Sequence, residues 1–142
     1  MNKLPEPEAP ATQKKAASLT KATAILFHIA ARSHVLAEQF GVELISPESE
    51  PGTEPALMLY TIQRPWLTRR GGELTFDADK YAETLYQCSD YTTHMRLWIL
   101  NVWNSGYAKS KGWDFNLFKA LNGLDDNNRR AIAWFLRNPI WP

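Results

Sequence analysis

From residue 18 onward, apolar and polar positions alternate at helical spacing. Leu19, Ala22, Leu26, Ile29, Ser33, Leu36 and Phe40 follow one another in steps of three and four, and Ile25, Ala30 and Ala37 widen the stripe. A stripe of that period is the buried face of an amphipathic helix. The pattern predicts one helix over 19–40, about six turns long. Ser18 is its expected N-cap and Gly41 its expected C-terminal stop.

The period then changes. Val42-Glu43-Leu44-Ile45 is a short extended candidate. Residues 46–55 hold Pro47, Pro51, Gly52 and Pro55 with three glutamates, which reads as an exposed loop or linker and the best internal boundary. Residues 56–62 are apolar enough for a buried helical turn or a strand, and Pro65 ends either. Trp66-Leu67-Thr68-Arg69 and Glu73-Leu74-Thr75-Phe76 flank Arg70-Gly71-Gly72. Gly-Gly between two such runs predicts a small β-hairpin over 66–76.

Helical spacing returns at Asp77. That residue is an expected N-cap, with Phe76 and Tyr81 at the positions of a hydrophobic staple. A second helix is expected over about 91–105. Met95, Leu97, Trp98, Ile99, Leu100, Val102 and Trp103 lie nearly all round it, so it should be the central buried helix. Gly106 is expected to close it, with a basic loop over 107–112. Asp114 is expected to cap a short helix to about 122, with Phe115, Leu117, Phe118 and Leu121 as its apolar set. Asp125 is expected to cap a last helix to Arg137, with Ile132, Ala133, Phe135 and Leu136 inside. The fold class expected is therefore mostly α: a small helical domain with a long N-terminal helix and a short hairpin at 66–76.

Composition narrows the class. The chain has 142 residues, enough for one domain with its own core. Residues 1–17 hold three prolines, no aromatic and almost no large apolar side chain, so a disordered tail is expected there. Residues 18–142 form the expected single domain. One cysteine excludes an internal disulfide framework and a cysteine-rich zinc site. No apolar run approaches a membrane span, and no signal-peptide core follows Met1, so a cytoplasmic location is expected. Net charge is +1. Residues 1–60 carry five Lys/Arg against seven Asp/Glu, and residues 61–142 carry eleven against eight. That is a diffuse asymmetry, far from the basic footprint of a dedicated nucleic-acid binder.

One stretch resembles a known family. Arg96-Leu97-Trp98-Ile99-Leu100-Asn101-Val102-Trp103-Asn104 is followed by Gly112-Trp113-Asp114-Phe115-Asn116-Leu117, then Leu124-Asp125 and a further helix. This resembles a family of small uncharacterised proteins carried on proteobacterial plasmids and integrative elements, over about residues 77–137. The family's tandem Trp-Trp-Asn is here Val102-Trp103-Asn104, and its Gly-Gly-Phe-Asp-Leu element appears in a different order. The resemblance implies an accessory protein of mobile DNA and carries no chemistry.

The residues that could carry chemistry have plainer roles. His28 and His34 stand six apart, about 240° around a helix, so they do not share a face. With His94 they match no zinc-ligand spacing. Cys88 falls on an apolar stripe with Tyr81 and Leu85, the setting of a core cysteine rather than a nucleophile. Asp77, Asp114 and Asp125 stand where helix caps belong, and Asp125-Asp126-Asn127-Asn128 lacks the spacing of a calcium loop. Gly71-Gly72 is a turn without a phosphate-binding signature. No catalytic residue, cofactor or metal site is expected.

The six tryptophans are the unusual feature. Trp66, with Arg64, Arg69 and Arg70, makes the aromatic and arginine combination enriched at protein interfaces, although aromatics also fill cores. These four residues are the expected partner-binding set. The leading expectation is a non-catalytic interaction module: a mobile-element accessory or inhibitor that occludes a host or element-encoded complex, with anti-CRISPR counter-defence as one version. The alternative is a nucleic-acid-binding module using the basic C-terminal half. A homodimer through the 19–40 stripe is a further possibility.

Overall fold

The structure is a computed structural model and describes residues 19–58, 61–86 and 90–142. The expected tail over 1–17, the Ser18 cap and Cys88 lie outside these residues.

The single helix expected over 19–40 is two helices. Helix α1 spans Lys21–Ala30 and is capped by Thr20, whose hydroxyl accepts from the Thr23 amide. Helix α2 spans His34–Phe40 and is capped by Ser33. Ser33 leaves helical geometry (φ −109°, ψ 126°), and its Oγ accepts from the Leu36 amide at 3.1 Å. Serine is among the strongest N-cap residues, so the chain can restart a helix there instead of continuing one. Gly41 ends α2 in the left-handed region at φ 73°, as expected.

After Gly41 the chain runs extended. Val42 bridges Leu57 antiparallel, flanked by Glu43 N–H to Ala56 O and Met58 N–H to Gly41 O, both 2.8 Å. The 46–55 loop between them is pinned to the helices, as described below. A 3₁₀ turn, Thr61–Gln63, leads to the expected hairpin. Strand β1, Leu67–Arg70, pairs antiparallel with β2, Glu73–Phe76, in the register Arg70↔Glu73 to Leu67↔Phe76. Gly71 and Gly72 have φ of 57° and 87°. Two successive positive φ values make the type I′ turn that matches strand twist.

Helix α3, Ala78–Ala82, starts at Asp77, whose carboxylate accepts from Lys80 N–H. The Phe76 and Tyr81 rings meet at 5.3 Å across that start. Helix α4, Asp90–Trp103, is the centre of the molecule and touches α1, α2 and α3. Met95, Trp98, Ile99, Leu100 and Val102 are buried on it.

Two expected boundaries move. Helix α4 stops at Trp103, because Asn104 caps a new short helix, α5 (Ser105–Ser110), by accepting from Tyr107 N–H. Gly106 is inside α5, and the left-handed stop is Gly112 at φ 77°. Helix α6, Leu117–Gly123, is capped by Asn116, not Asp114. Both side chains are eligible caps. The preceding chain is held extended where Asn101 Nδ2 donates to Trp113 O at 2.8 Å. Helix α7, Asp126–Arg137, is capped by Asp125 as expected. Helices α5 and α6 also lie on α4, and α7 packs against α2.

The core is largely aromatic at one end. Phe40 stands 5.3 Å from Phe27, 5.4 Å from Tyr81, 5.8 Å from Phe76 and 6.5 Å from Trp66. Offset and edge contacts of this kind add about 0.5–1.5 kcal/mol each beyond burial. Leu26, Ile29, Leu36 and Phe40, the heart of the 19–40 stripe, are fully buried in the same core. That apolar face is therefore used within the chain.

Candidate interaction surface

The expected partner-binding set is divided by the fold. The hairpin approach runs along α2, so Trp66 turns inward between Phe40 and Tyr81 and is only 8% exposed. It is a core residue, contrary to its expected place on the surface. Among the described residues its indole Nε1 meets no hydrogen-bond partner. The Tyr81 ring meets the indole edge-on, 5.2 Å between centroids. Arg64 is half-buried. Its guanidinium lies 6.0 Å from the Trp66 ring and donates to Glu38 O at 3.1 Å. Arg69 and Arg70 are exposed on β1.

Arg64 and Trp66 do line a cavity of about 460 Å³ together with His34, Gln39, Thr92 and Arg96. Several of its polar side chains are already engaged. Arg96 donates to Thr84 O, and Gln39 sits between Tyr81 Oη and the Arg96 guanidinium. His34 is held by Asp125. The arrangement is a partly buried polar network that engages Gln39, Arg96 and His34 within the chain.

The junction between α1, α2 and α7 is a dense polar cluster that sequence reasoning missed. Arg32 is fully buried. Its Nη1 donates to His28 O at 2.6 Å, and its Nη2 donates to Ser49 O and Glu50 O, both at 2.9 Å. Its guanidinium lies over Trp134. Burial pushes the group below its ordinary pKa, but an arginine remains a cation. Beside it the N-termini of α2 and α7 cap one another. Ser33 Oγ donates to Asn128 Oδ1 at 2.6 Å, Asn127 Oδ1 accepts from His34 N–H at 2.8 Å, and Asn127 Nδ2 donates to Arg32 O. His34 Nε2 donates to Asp125 Oδ2 at 2.6 Å.

Ser33, His34 and Asp125 are the residue types of a hydrolase triad, but the geometry is that of a cap. Ser33 Oγ gives its proton to Asn128 and receives the Leu36 amide. Among the described residues the hydroxyl forms no hydrogen bond to an imidazole, the contact a serine–histidine pair needs. Asp125 faces the ring nitrogen and its own helix amides. Among the described residues no group of three or more His, Cys, Asp or Glu side chains could hold a metal. No described helix is long and apolar enough to cross a membrane.

The basic residues of the C-terminal half are partly neutralised. Arg130 is forked onto Glu48 and also meets Asp126 at 3.5 Å, which raises its pKa. Lys111 meets Asp79 at 3.5 Å, and Asp79 also accepts from Tyr107 Oη at 2.8 and 2.9 Å.

Exposed apolar side chains gather late in the chain. Helix α6 buries only Ala120 fully, and Phe118 is 81% and Leu121 38% exposed. Both were expected inside. The reason is packing geometry: α6 rests on the core through Ala120 and the half-buried Leu117, which leaves Leu121 at the flank of that face and turns Phe118 away from it. Leu136, also expected inside, is 65% exposed at the end of α7, and Trp141 is 63% exposed beyond it. Trp141 is supported edge-on by Phe135 at 5.1 Å.

Fold and surface together define a small helical domain with a polar junction built on the buried Arg32 and with projecting apolar side chains. No protein-family model, curated protein or solved structure matches the chain.

Proposed function

We propose that this chain is a non-catalytic protein-interaction module, an accessory or inhibitor protein that acts by occluding a partner protein complex. The observation that carries this reading is the outward placement of Phe118 and Leu121 on α6. Phe118, 81% exposed, gives most of its ring to water and adds little to the fold of its own helix. Projecting aromatics are the usual anchors of interface hot spots. The partner surface is thereby moved from Trp66, which is buried, to α6. The origin in mobile DNA, with counter-defence as one version, rests on the resemblance over about residues 77–137 alone.

The test is capture of partners by the tagged full chain from lysate after nuclease treatment, in parallel with Phe118→Ser/Leu121→Ser. The reading expects one protein at near-equal stoichiometry that the double variant no longer retains. Equal retention by the variant, or recovery that depends only on nucleic acid, would overturn it.

A further inference from the structure

We propose that the open edge of strand β1 is a docking site for an extended acidic segment of a partner protein, which adds to the hairpin as a third strand. The proposal rests on the protein-interaction reading above but uses a different surface.

The two edges of the hairpin are not equivalent. Leu19 and Thr20 cover the β2 edge: Leu19 bridges Leu74 in parallel, and Thr20 N–H donates to Leu74 O at 2.9 Å. Further along, Thr23 Oγ1 accepts from Phe76 N–H at 2.9 Å. Leu74 and Phe76 thus turn their backbone groups away from β1. In an antiparallel pair, residues opposite one another face the same way in this respect. Their partners Arg69 and Leu67 must then turn theirs away from β2, towards the outer side of β1. The Leu67 N–H is taken by Arg64 O at 3.1 Å. The Arg69 N–H and C=O and the Leu67 C=O remain on that side, with no bond from any described residue outside the hairpin.

Charge selects the occupant. Arg69 and Arg70 are both exposed, and neither forms an ion pair among the described residues. Successive strand residues project to opposite faces, so one arginine flanks the edge on each face. A strand laid alongside would place two consecutive residues next to them, one per face. Two consecutive acids complement both. The same arginines repel a basic strand and the β1 edge of a second copy, which is how exposed edges avoid self-association. Backbone pairing with side chains on alternate faces is an established mode of peptide capture.

The experiment uses the full chain and an end-blocked peptide, Val-Thr-Glu-Glu-Thr-Val, titrated at low salt and followed by backbone amide resonances. The proposal expects saturable shifts centred on the Arg69 amide, with slower hydrogen exchange there. Arg69→Gln/Arg70→Gln is expected to weaken binding about tenfold, the scale of two surface charge pairs. A peptide N-methylated at both glutamates should bind several-fold more weakly, and the Lys-Lys peptide should not bind. Absence of saturable shifts at Arg69, or equal binding of the N-methylated peptide, would overturn strand addition. That failure would leave partner capture through Phe118 untouched, so the two readings fall separately.

Discussion

The guanidinium of Arg32 lies over the indole of Trp134, its Cζ 3.6 Å from the ring centroid. These residues are distant in sequence, and their contact joins the α1–α2 break to α7. Around it the carbonyls of His28, Ser49 and Glu50 accept from the two terminal nitrogens. One buried cation therefore holds three chain segments: the end of α1, the 46–55 loop and α7. Arg32→Ala is expected to lower unfolding free energy by about 3 kcal/mol, because it strands three acceptors and removes a stacked side chain. Arg32→Lys should recover only part, since an ammonium lacks the planar fork. Urea titration followed by tryptophan fluorescence measures both; a loss within the usual surface range would refute this role.

Ser33 and Asn128 act as one unit. Ser33→Ala is expected to cost about 1–2 kcal/mol as a lost cap, and Asn128→Ala to cost a similar amount. The double variant should lose less than the sum, with a coupling of at least about 0.5 kcal/mol, because each side chain is the other's partner. Simple additivity in the double-mutant cycle would count against it.

Asp125 gives the junction a pH dependence. Burial by itself would raise its pKa, but the Asn128 amide, His34 and the Asn128 side chain outweigh that and hold it below the usual carboxylate range. A depressed folded value stabilises the fold fully above the unfolded value near 4, and the gain is lost as pH falls through the folded value. The wild-type chain should therefore be more stable than Asp125→Asn at pH 6, with the gap closing below about pH 4. The pair is roughly half exposed, so the gap should be modest. Denaturant titrations at three pH values check this; a gap that widens on acidification would contradict it.

The hairpin turn demands glycine at its tip. Gly71→Ala places a side chain at φ 57°, where open space surrounds it but the backbone is strained. The expected loss is about 1 kcal/mol. Gly71→Asn should lose less, because asparagine tolerates that region. Thermal unfolding of the two variants decides, and an equal loss would point to another cause.

Phe40 and Phe118 are the same residue type in opposite roles. Phe40→Ala should cost about 3–5 kcal/mol by leaving a cavity among four rings. Phe118→Ser should leave the unfolding midpoint nearly unchanged. Calorimetry of both separates packing from surface; a large loss at Phe118 would remove the case for α6 as a binding face.

Several elements were legible in the sequence. The Gly-Gly hairpin, the Asp77 and Asp125 caps, the Gly41 stop and the central place of α4 all follow from residues near one another in the chain. Such signals are local: a carboxylate reaches an amide three residues on, and a glycine adopts a positive φ wherever it stands. The break at Arg32–Ser33 also had a signal, a polar Arg-Ser-His triplet inside the apolar stripe. Ser33 falls on the stripe's own period, so its capping role was hidden by spacing.

The site was less legible. Asn104 and Asn116 prevailed over the equally eligible Gly106 and Asp114, and Trp66 went to the core while Phe118 did not. Periodicity shows which residues can share a face, but it does not say which face meets another helix. That choice was made by contacts far along the chain: Ser33 with Asn128, 95 residues apart, and Phe40 with Trp66 and Tyr81. The sequence by itself determined where most elements begin and which could be buried. Only the tertiary structure decided which were, because burial is a property of the partner surface as much as of the residue.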